Sequence, residues 1–387
     1  MNIHHNNLIQ GILEGLRAIL FEYRYADKVV RHLLRKNRLW GRRDRSQVAT
    51  VIYDIVRWKR LVKVMAGIEH LTEENIHLLL NYWLERKGRV PTLSERAAFP
   101  RAIALSIPDT LDTLGMNELK TRWPLEMEAL NQIANTIIRV NTLKIDRKSL
   151  QERLFGEGII TETLEEYPEA LLVEGRKNLV GAKSYREGLF EIQDASSQKV
   201  SHLLDVKPGM QIIDACAGAG GKSLHLAALM QNKGHIISMD ISKSKLIELK
   251  KRAYRNKVYN IQTFCIDHSD TQIPSFYNYA DRLLLDVPCS GLGTLRRRPD
   301  LKWKFSKSQL ERILILQACI LKKYTPMLKK GGKIVYATCS ILPSENRKQI
   351  NQFLKEFPDY RCLSQEEVSP AQSTHDGFFM TLIEKDA

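Results

Sequence analysis

Several things a secreted, membrane-bound or metal-centred protein would need are missing from the sequence. Six cysteines are scattered through 387 residues, and none shares the short spacing of a metal-ligand pair. They read as thiols in a reducing cytosol, so a cytoplasmic chain without a bound metal is expected. No stretch reaches the roughly eighteen consecutive apolar residues of a membrane span, so no membrane partner is expected. The opening Met1-Asn2-Ile3-His4-His5-Asn6 lacks the apolar core of a signal peptide. There is no internal repeat and no low-complexity linker, so the parts are expected to pack closely. Acidic residues are in deficit: 44 Asp and Glu against 59 Lys and Arg leave a formal charge of +15. That balance points to a polyanionic partner, most often nucleic acid. The hydrophobic share of 43% suffices for packed cores, and the length favours two or three domains.

The stretch from Gln211 to Ser223 lacks two glycines in an informative way. It ends in Gly-Lys-Ser like a phosphate loop, but Cys216 stands where that loop needs its first glycine. A dinucleotide fingerprint would need a third glycine where Ser223 stands. What is present is an apolar strand closed by Asp214, a turn of small residues, and helical periodicity from Leu224 to Met230. This unit opens a doubly wound nucleotide fold, and an adenosyl cofactor without phosphates, S-adenosylmethionine, suits it better than a nucleotide. A glycine turn that binds nothing is the alternative. The second strand, His235 to Met239, ends in Asp240, the usual place for a carboxylate on ribose hydroxyls. A solvated strand-end aspartate is the alternative there.

Residues from about Ile9 to Leu130 read as mostly helical, with stripes at Ile12, Leu16, Ile19 and Leu20 and at Val48, Val51, Ile52 and Ile55. A basic tract runs from Arg31 through Arg35, Lys36, Arg38, Arg42, Arg43 and Arg45 to Arg57, Lys59, Arg60 and Lys63. So dense an excess predicts a phosphate-facing surface; a solvated helix face is the alternative. Pro91, Pro100, Pro108 and Pro124 argue against one long bundle after it. A small α+β module follows over 131–188, with strands at Ile137 to Leu143 and Ala170 to Val173 and a helix from Asp146 to Leu154. From 189 onward strands and helices alternate. Strands are predicted at 211–214, 236–240, 261–265, 282–286, 333–337 and 377–383, and Leu189 to Ile192 is an extended candidate beside those of the small module.

Two cysteines fall just beyond strand ends, in Asp286-Val287-Pro288-Cys289-Ser290-Gly291 and in Thr338-Cys339-Ser340. Ligands of such sheets sit at the carboxyl ends of the strands. A thiol there reads as a nucleophile, with a small buried hydrophobe or a Cys289–Cys339 disulfide as alternatives. Cytosine methylation at carbon 5 requires one. A thiolate adding to carbon 6 makes carbon 5 nucleophilic, and an acid near nitrogen 3 stabilises the developing charge. Asp286 is placed for the acid role.

On these motifs the chain resembles the Sun family (RsmB-like) of RNA 5-methylcytosine methyltransferases. Besides the stretches above, Arg139 to Lys144, Gln193 to Gln198, Arg296 to Trp303 and Leu342 to Asn346 match family signatures. The resemblance implies a Rossmann-like S-adenosylmethionine methyltransferase fold over 189–387, an RNA-binding α+β module over 131–188, and an all-helical NusB-like RNA-binding domain over 1–130. It implies Cys339 as the nucleophile and Cys289 as the residue that assists product release. It places Cys216, Ala217, Gly218, Ala219, Gly220, Gly221, Lys222, Asp240, Asp267 and Asp286 around the cofactor. Ala219 departs from the proline usual in the loop, Ile266-Asp267-His268 from Gly-Asp-Ala, and Arg298 from a common histidine. The expected protein is a monomer acting on RNA, with small-subunit ribosomal RNA as substrate. Transfer RNA is the alternative within the enzyme class, and a non-catalytic RNA-binding assembly factor the alternative outside it. Arg296 to Lys302 and the helical part are expected to hold phosphates.

Overall fold

A computed structural model describes residues 6–266 and 271–387. The chain divides into two compact units. The first comprises residues 1–133 together with Thr294–Gln309; the second comprises Ala134–Gly293 and Leu310–Ala387.

The first unit is helical. Its core is built by α1 (Asn6–Leu20), α2 (Ala26–Lys36), α3 (Arg42–Met65) and α4 (Ile76–Glu85). The predicted stripes do meet: Ile12, Leu16 and Ile19 of α1 join Val48, Val51, Ile52 and Ile55 of α3 in one buried cluster. Beyond α4 the prolines cut the chain into the short helices Leu93–Arg96, Arg101–Ala104, Asp109–Leu119 and Arg122–Leu130. Pro100 and Pro108 stand at N-caps, where a missing amide costs nothing.

Residues 294–309 complete this unit, although they were expected within the catalytic fold. Asp300 caps α2 by accepting the Ala26 amide at 3.1 Å. Trp303 packs on the helical core and donates its ring N–H to the Val56 carbonyl at 2.7 Å. Lys302 is buried and donates to the Arg57 carbonyl at 2.6 Å and to Asn131 Oδ1 at 2.9 Å. Burial lowers its amine well below the usual lysine range. The expectation that Lys302 holds phosphate is therefore wrong: its amine is buried and committed to the Arg57 carbonyl and Asn131 Oδ1.

The second unit holds two sheets. β1 (Thr136–Val140), β2 (Thr161–Thr163), β3 (Ala170–Val173) and β4 (Phe190–Ile192) form an antiparallel sheet in the order β2-β3-β1-β4. The helix Arg147–Gly156 packs on it through Leu150 and Leu154, and Asp146 caps its start. β4 pairs with β1 and completes the small sheet, which therefore runs past the expected boundary at 188.

The larger sheet contains β5 (Gln211–Asp214), β6 (His235–Asp240), β7 (Ile261–Cys265), β8 (Ala280–Asp286), β9 (Leu328–Thr338), β10 (Tyr360–Val368) and β11 (Phe378–Lys385). Their order is β10-β11-β9-β8-β5-β6-β7. β5 to β9 are parallel; the apolar runs of β5, β6, β8 and β9 match burial on both faces, while β7 at the edge is partly exposed. β11 and β10 add an antiparallel edge. This is a Rossmann-like sheet. Order reverses between β5 and β8, and the crevice beyond those strand ends is where such sheets take ligands.

Candidate active site

The turn after β5 is shaped by its glycines. Gly220 adopts φ +84°, and a Cβ there would lie 2.4 Å from Leu249 Cγ, so no larger residue fits. Gly218 and Gly221 face open space, with nothing within 4 Å of a notional Cβ. The helix Gly221–Leu229 then begins with no side-chain cap, and the first amides of a helix have no partner within it. Asp214 is buried below the turn, accepts Ser223 Oγ at 2.6 Å, and is pushed up to about 7 by burial. Asp240 accepts the Gly218 amide at 2.9 Å and the Ser242 amide at 2.7 Å. Cys216 lies beneath, where burial raises its thiol well above the ordinary range. Lys222 crosses to Asp286 at 2.5 Å and so joins the β5 turn to the tip of β8. Asp267 lies outside the described residues.

β8 and β9 run parallel with Asp286 opposite Ala337, so the loops beyond them emerge side by side. Cys289 and Cys339 are both half-buried free thiols with sulfurs 3.3 Å apart. The hydrogen bond to Cys339, then burial, hold the Cys289 thiol well above its usual range. Cys289 is thus suited to remain a thiol and donate to Cys339. The Cys339 loop is fixed by Asn346, which accepts Thr338 Oγ1 at 2.6 Å and donates to the Ser340 carbonyl at 2.9 Å. Gly293 closes the other side: its amide donates to the Cys339 carbonyl at 2.9 Å, and its carbonyl accepts the Gly377 amide at 2.8 Å. Glu345, beside Asn346, is buried against both cysteine loops; sequence reasoning quoted it in a motif but gave it no role.

The upstream signatures turn inward rather than outward. Arg139 donates to the Gly221 carbonyl at 2.7 Å, tying β1 to the glycine turn. Burial lowers its guanidinium to about 10. Asn141 donates to the carbonyls of Gly188 at 2.8 Å and Asn256 at 3.0 Å. Within the same unit Glu169, His202 and His225 place donor atoms within 4.8 Å of one another, the one group among the described residues that could hold a metal ion. His202 Nε2 pairs with Glu169 at 2.7 Å, and His225 is 3.7 Å from the same oxygen.

In the first unit the basic tract splits in two. Arg31, Arg35, Arg38, Arg42 and Arg43 are exposed. Arg45, Arg57 and Arg60 are struts. Arg45 donates to the Trp40, Leu34 and Asn37 carbonyls at the end of α2, Arg57 to the Arg296 carbonyl at 3.0 Å, and Arg60 to the Ile107 carbonyl at 2.7 Å. Lys59 lies over the Trp303 ring, 4.0 Å from its centroid, and burial lowers its amine to about 8.

A Rossmann-like sheet with a glycine turn at its switch point has the architecture of a methyltransferase domain. Residues 201–383 match the family model described as 16S rRNA methyltransferase RsmB/F, and 116–179 match the ferredoxin-like domain described for the same proteins. The chain is 33% identical over 302 residues to the probable ribosomal RNA small subunit methyltransferase B of Synechocystis sp., covering 72% of this chain and 67% of that one. It is 34% identical over 281 residues to the ribosomal RNA small subunit methyltransferase B of Proteus mirabilis, covering 72% of this chain but 65% of the relative's own length. A solved methyltransferase homologue from Pyrococcus horikoshii superposes with a TM-score of 0.65 at 28% identity, over 74% of this chain and 97% of that one. The chain belongs to the RsmB/F family of rRNA methyltransferases. No helix among the described residues is long and apolar enough to cross a membrane.

Proposed function

We propose that the protein methylates carbon 5 of a cytosine in RNA, with small-subunit ribosomal RNA as substrate and S-adenosylmethionine as methyl donor. The observation that carries the reading is the pair of half-buried thiols 3.3 Å apart at the tips of adjacent strands, beside the glycine turn. The turn suits an adenosyl group: its backbone faces open space at Gly218 and Gly221, and no phosphate-loop glycine precedes it. The Gly218–Gly221 backbone would hold the cofactor and Asp240 its ribose hydroxyls. When bound, S-adenosylmethionine supplies an electrophilic methyl group.

The chain's own residues do the rest. The Cys339 thiolate adds to carbon 6 of a cytosine taken out of its stack, forming an S–C6 bond and making carbon 5 nucleophilic. Asp286, held at the turn by Lys222, stabilises the charge that develops around nitrogen 3. After carbon 5 is methylated, a base takes its proton, and the C5–H electrons re-form the C5–C6 double bond as the S–C6 bond breaks and its electron pair returns to Cys339. Cys289, in contact with that sulfur, assists this release.

The test uses single variants with S-adenosylmethionine and unmodified ribosomal or transfer RNA. Cys339→Ala is expected to abolish turnover, and Cys289→Ala to accumulate an RNA adduct that survives denaturing electrophoresis. An adduct with transfer RNA alone would reassign the substrate. Normal turnover by both variants would refute the two-cysteine scheme, and no transfer by the unaltered protein to either RNA would favour an assembly factor.

A further inference from the structure

We propose that Glu345 is a positioning residue for the cysteine pair: one buried carboxylate ties the loop carrying Cys289 to the loop carrying Cys339 and sets the spacing of the two thiols. The inference rests on the two-cysteine reading above and adds a residue to it.

The carboxylate is wholly buried, and burial of a charge is costly unless its lone pairs are filled. They are filled from both loops. Oε1 accepts the Ser290 amide at 2.7 Å and Gln317 Nε2 at 3.2 Å. Oε2 accepts Ser290 Oγ at 2.5 Å and also Ser340 Oγ. Ser290 directly follows Cys289, and Ser340 directly follows Cys339. Gln317 also donates to the carbonyl of Pro288, the residue before Cys289, at 2.9 Å. The clamp itself cannot drift, because the Glu345 carbonyl accepts the Tyr336 hydroxyl of β9 at 2.7 Å.

The two loops are therefore joined by two rungs. The serine hydroxyls, 3.2 Å apart and bridged by the carboxylate, form the buried rung. The thiols, 3.3 Å apart, form the half-buried one. An ionised carboxylate is the one side chain that offers only acceptors on two oxygens, so it alone takes donors from both loops at once. Glutamine can keep the Ser290 amide on its oxygen and turn its NH2 to hydroxyls that rotate to accept. It should preserve the shape in part, whereas alanine leaves the donors unpaired. Glu345 is also a negative charge near Cys289 and contributes to the raised thiol there.

The experiment compares Glu345→Gln, Glu345→Ala and the double variant Ser290→Ala/Ser340→Ala with the unaltered full chain. Four quantities are read: kcat for methyl transfer to RNA, RNA KM with S-adenosylmethionine affinity, the urea midpoint, and the pH profile of Cys289 alkylation by iodoacetamide, followed by mass spectrometry. Glu345→Ala should lower kcat about 100-fold, the scale of a misplacement near 1 Å, with KM and cofactor affinity unchanged. Glu345→Gln should fall between, and the double serine variant should resemble Glu345→Ala. The alkylation midpoint of Cys289 should move to lower pH in the glutamate variants, because the thiol contact loosens and a negative charge is lost. Unchanged kcat in Glu345→Ala overturns the proposal. So does a parallel loss of kcat, cofactor affinity and urea midpoint in all three variants, the signature of a role in folding alone. If the unaltered protein transfers no methyl to RNA, the functional reading fails separately. The alkylation profile then decides the clamp, and an unshifted midpoint overturns it.

Discussion

Adding one methyl group at Gly293 should damage both stability and the cysteine site. A Cβ there would stand 2.1 Å from the Gly377 carbonyl oxygen, 2.7 Å from its carbon and 2.8 Å from the Cys339 carbonyl oxygen. Ordinary contact begins at 3.4 Å, so the nearest atom would have to retreat by about 1.3 Å. All three obstacles are backbone, and no rotamer change relieves them. The two hydrogen bonds that bracket Gly293 would stretch, at about 0.5–1.5 kcal/mol each, and overpacking adds about 1–3 kcal/mol. Gly293→Ala should thus lose about 2–6 kcal/mol, seen as a lower urea midpoint at unchanged slope. Because Cys339 is one of the atoms' owners, methyl transfer should fall about 100-fold even where the variant is fully folded. A variant within 0.5 kcal/mol of the unaltered protein (roughly the scatter of a neutral surface change) and with normal turnover would refute the reasoning.

Other perturbations follow from the same contacts. His225 is buried and its imidazole is lowered to about 3, against about 6.5 when unfolded. Its contribution is present above pH 6.5 and is lost as pH falls toward 3, by up to about 1.4 kcal/mol per pH unit. Urea midpoints measured from pH 8 to 5 should fall in the unaltered protein and fall less in His225→Gln; equal slopes would exclude His225 as the titrating group. In the helical unit, Arg42→Glu with Arg43→Glu should weaken RNA binding and flatten its dependence on salt without changing the melting temperature. An unchanged salt slope would assign those arginines to solvent.

The parts of the fold set by local pattern were legible. The apolar runs of β5, β6, β8 and β9 lie where the sequence placed them, and the prolines broke the helical unit as expected. β10 was not read, because its residues alternate charged and polar on an exposed edge: Arg361, Gln365, Glu366 and Glu367 carry no core signal. The cysteines were legible because each follows a strand. The clamp at Glu345 was not, because nothing local distinguishes a buried glutamate from a solvated one. The same holds for Lys302, Arg57 and Arg139, basic residues whose partners are distant carbonyls. Composition identified an excess of positive charge, but only the tertiary structure separates the charges that face solvent from those that hold the helices together.

The return of residues 294–309 to the helical unit bears on how this protein can be cut or inherited. The segment starts five residues after Cys289 and ends at the start of the helix Lys307–Tyr324 that leads to β9, so the chain passes through the helical core in the middle of its catalytic motifs. A truncation at residue 133 would not release a free-standing catalytic fragment. It would strip the partners from Trp303 and from the amine of Lys302, and leave Asp300 with no helix to cap. An exchange of the helical unit that kept these contacts would therefore need matched breaks on both sides of the segment between the two cysteines, not a single junction.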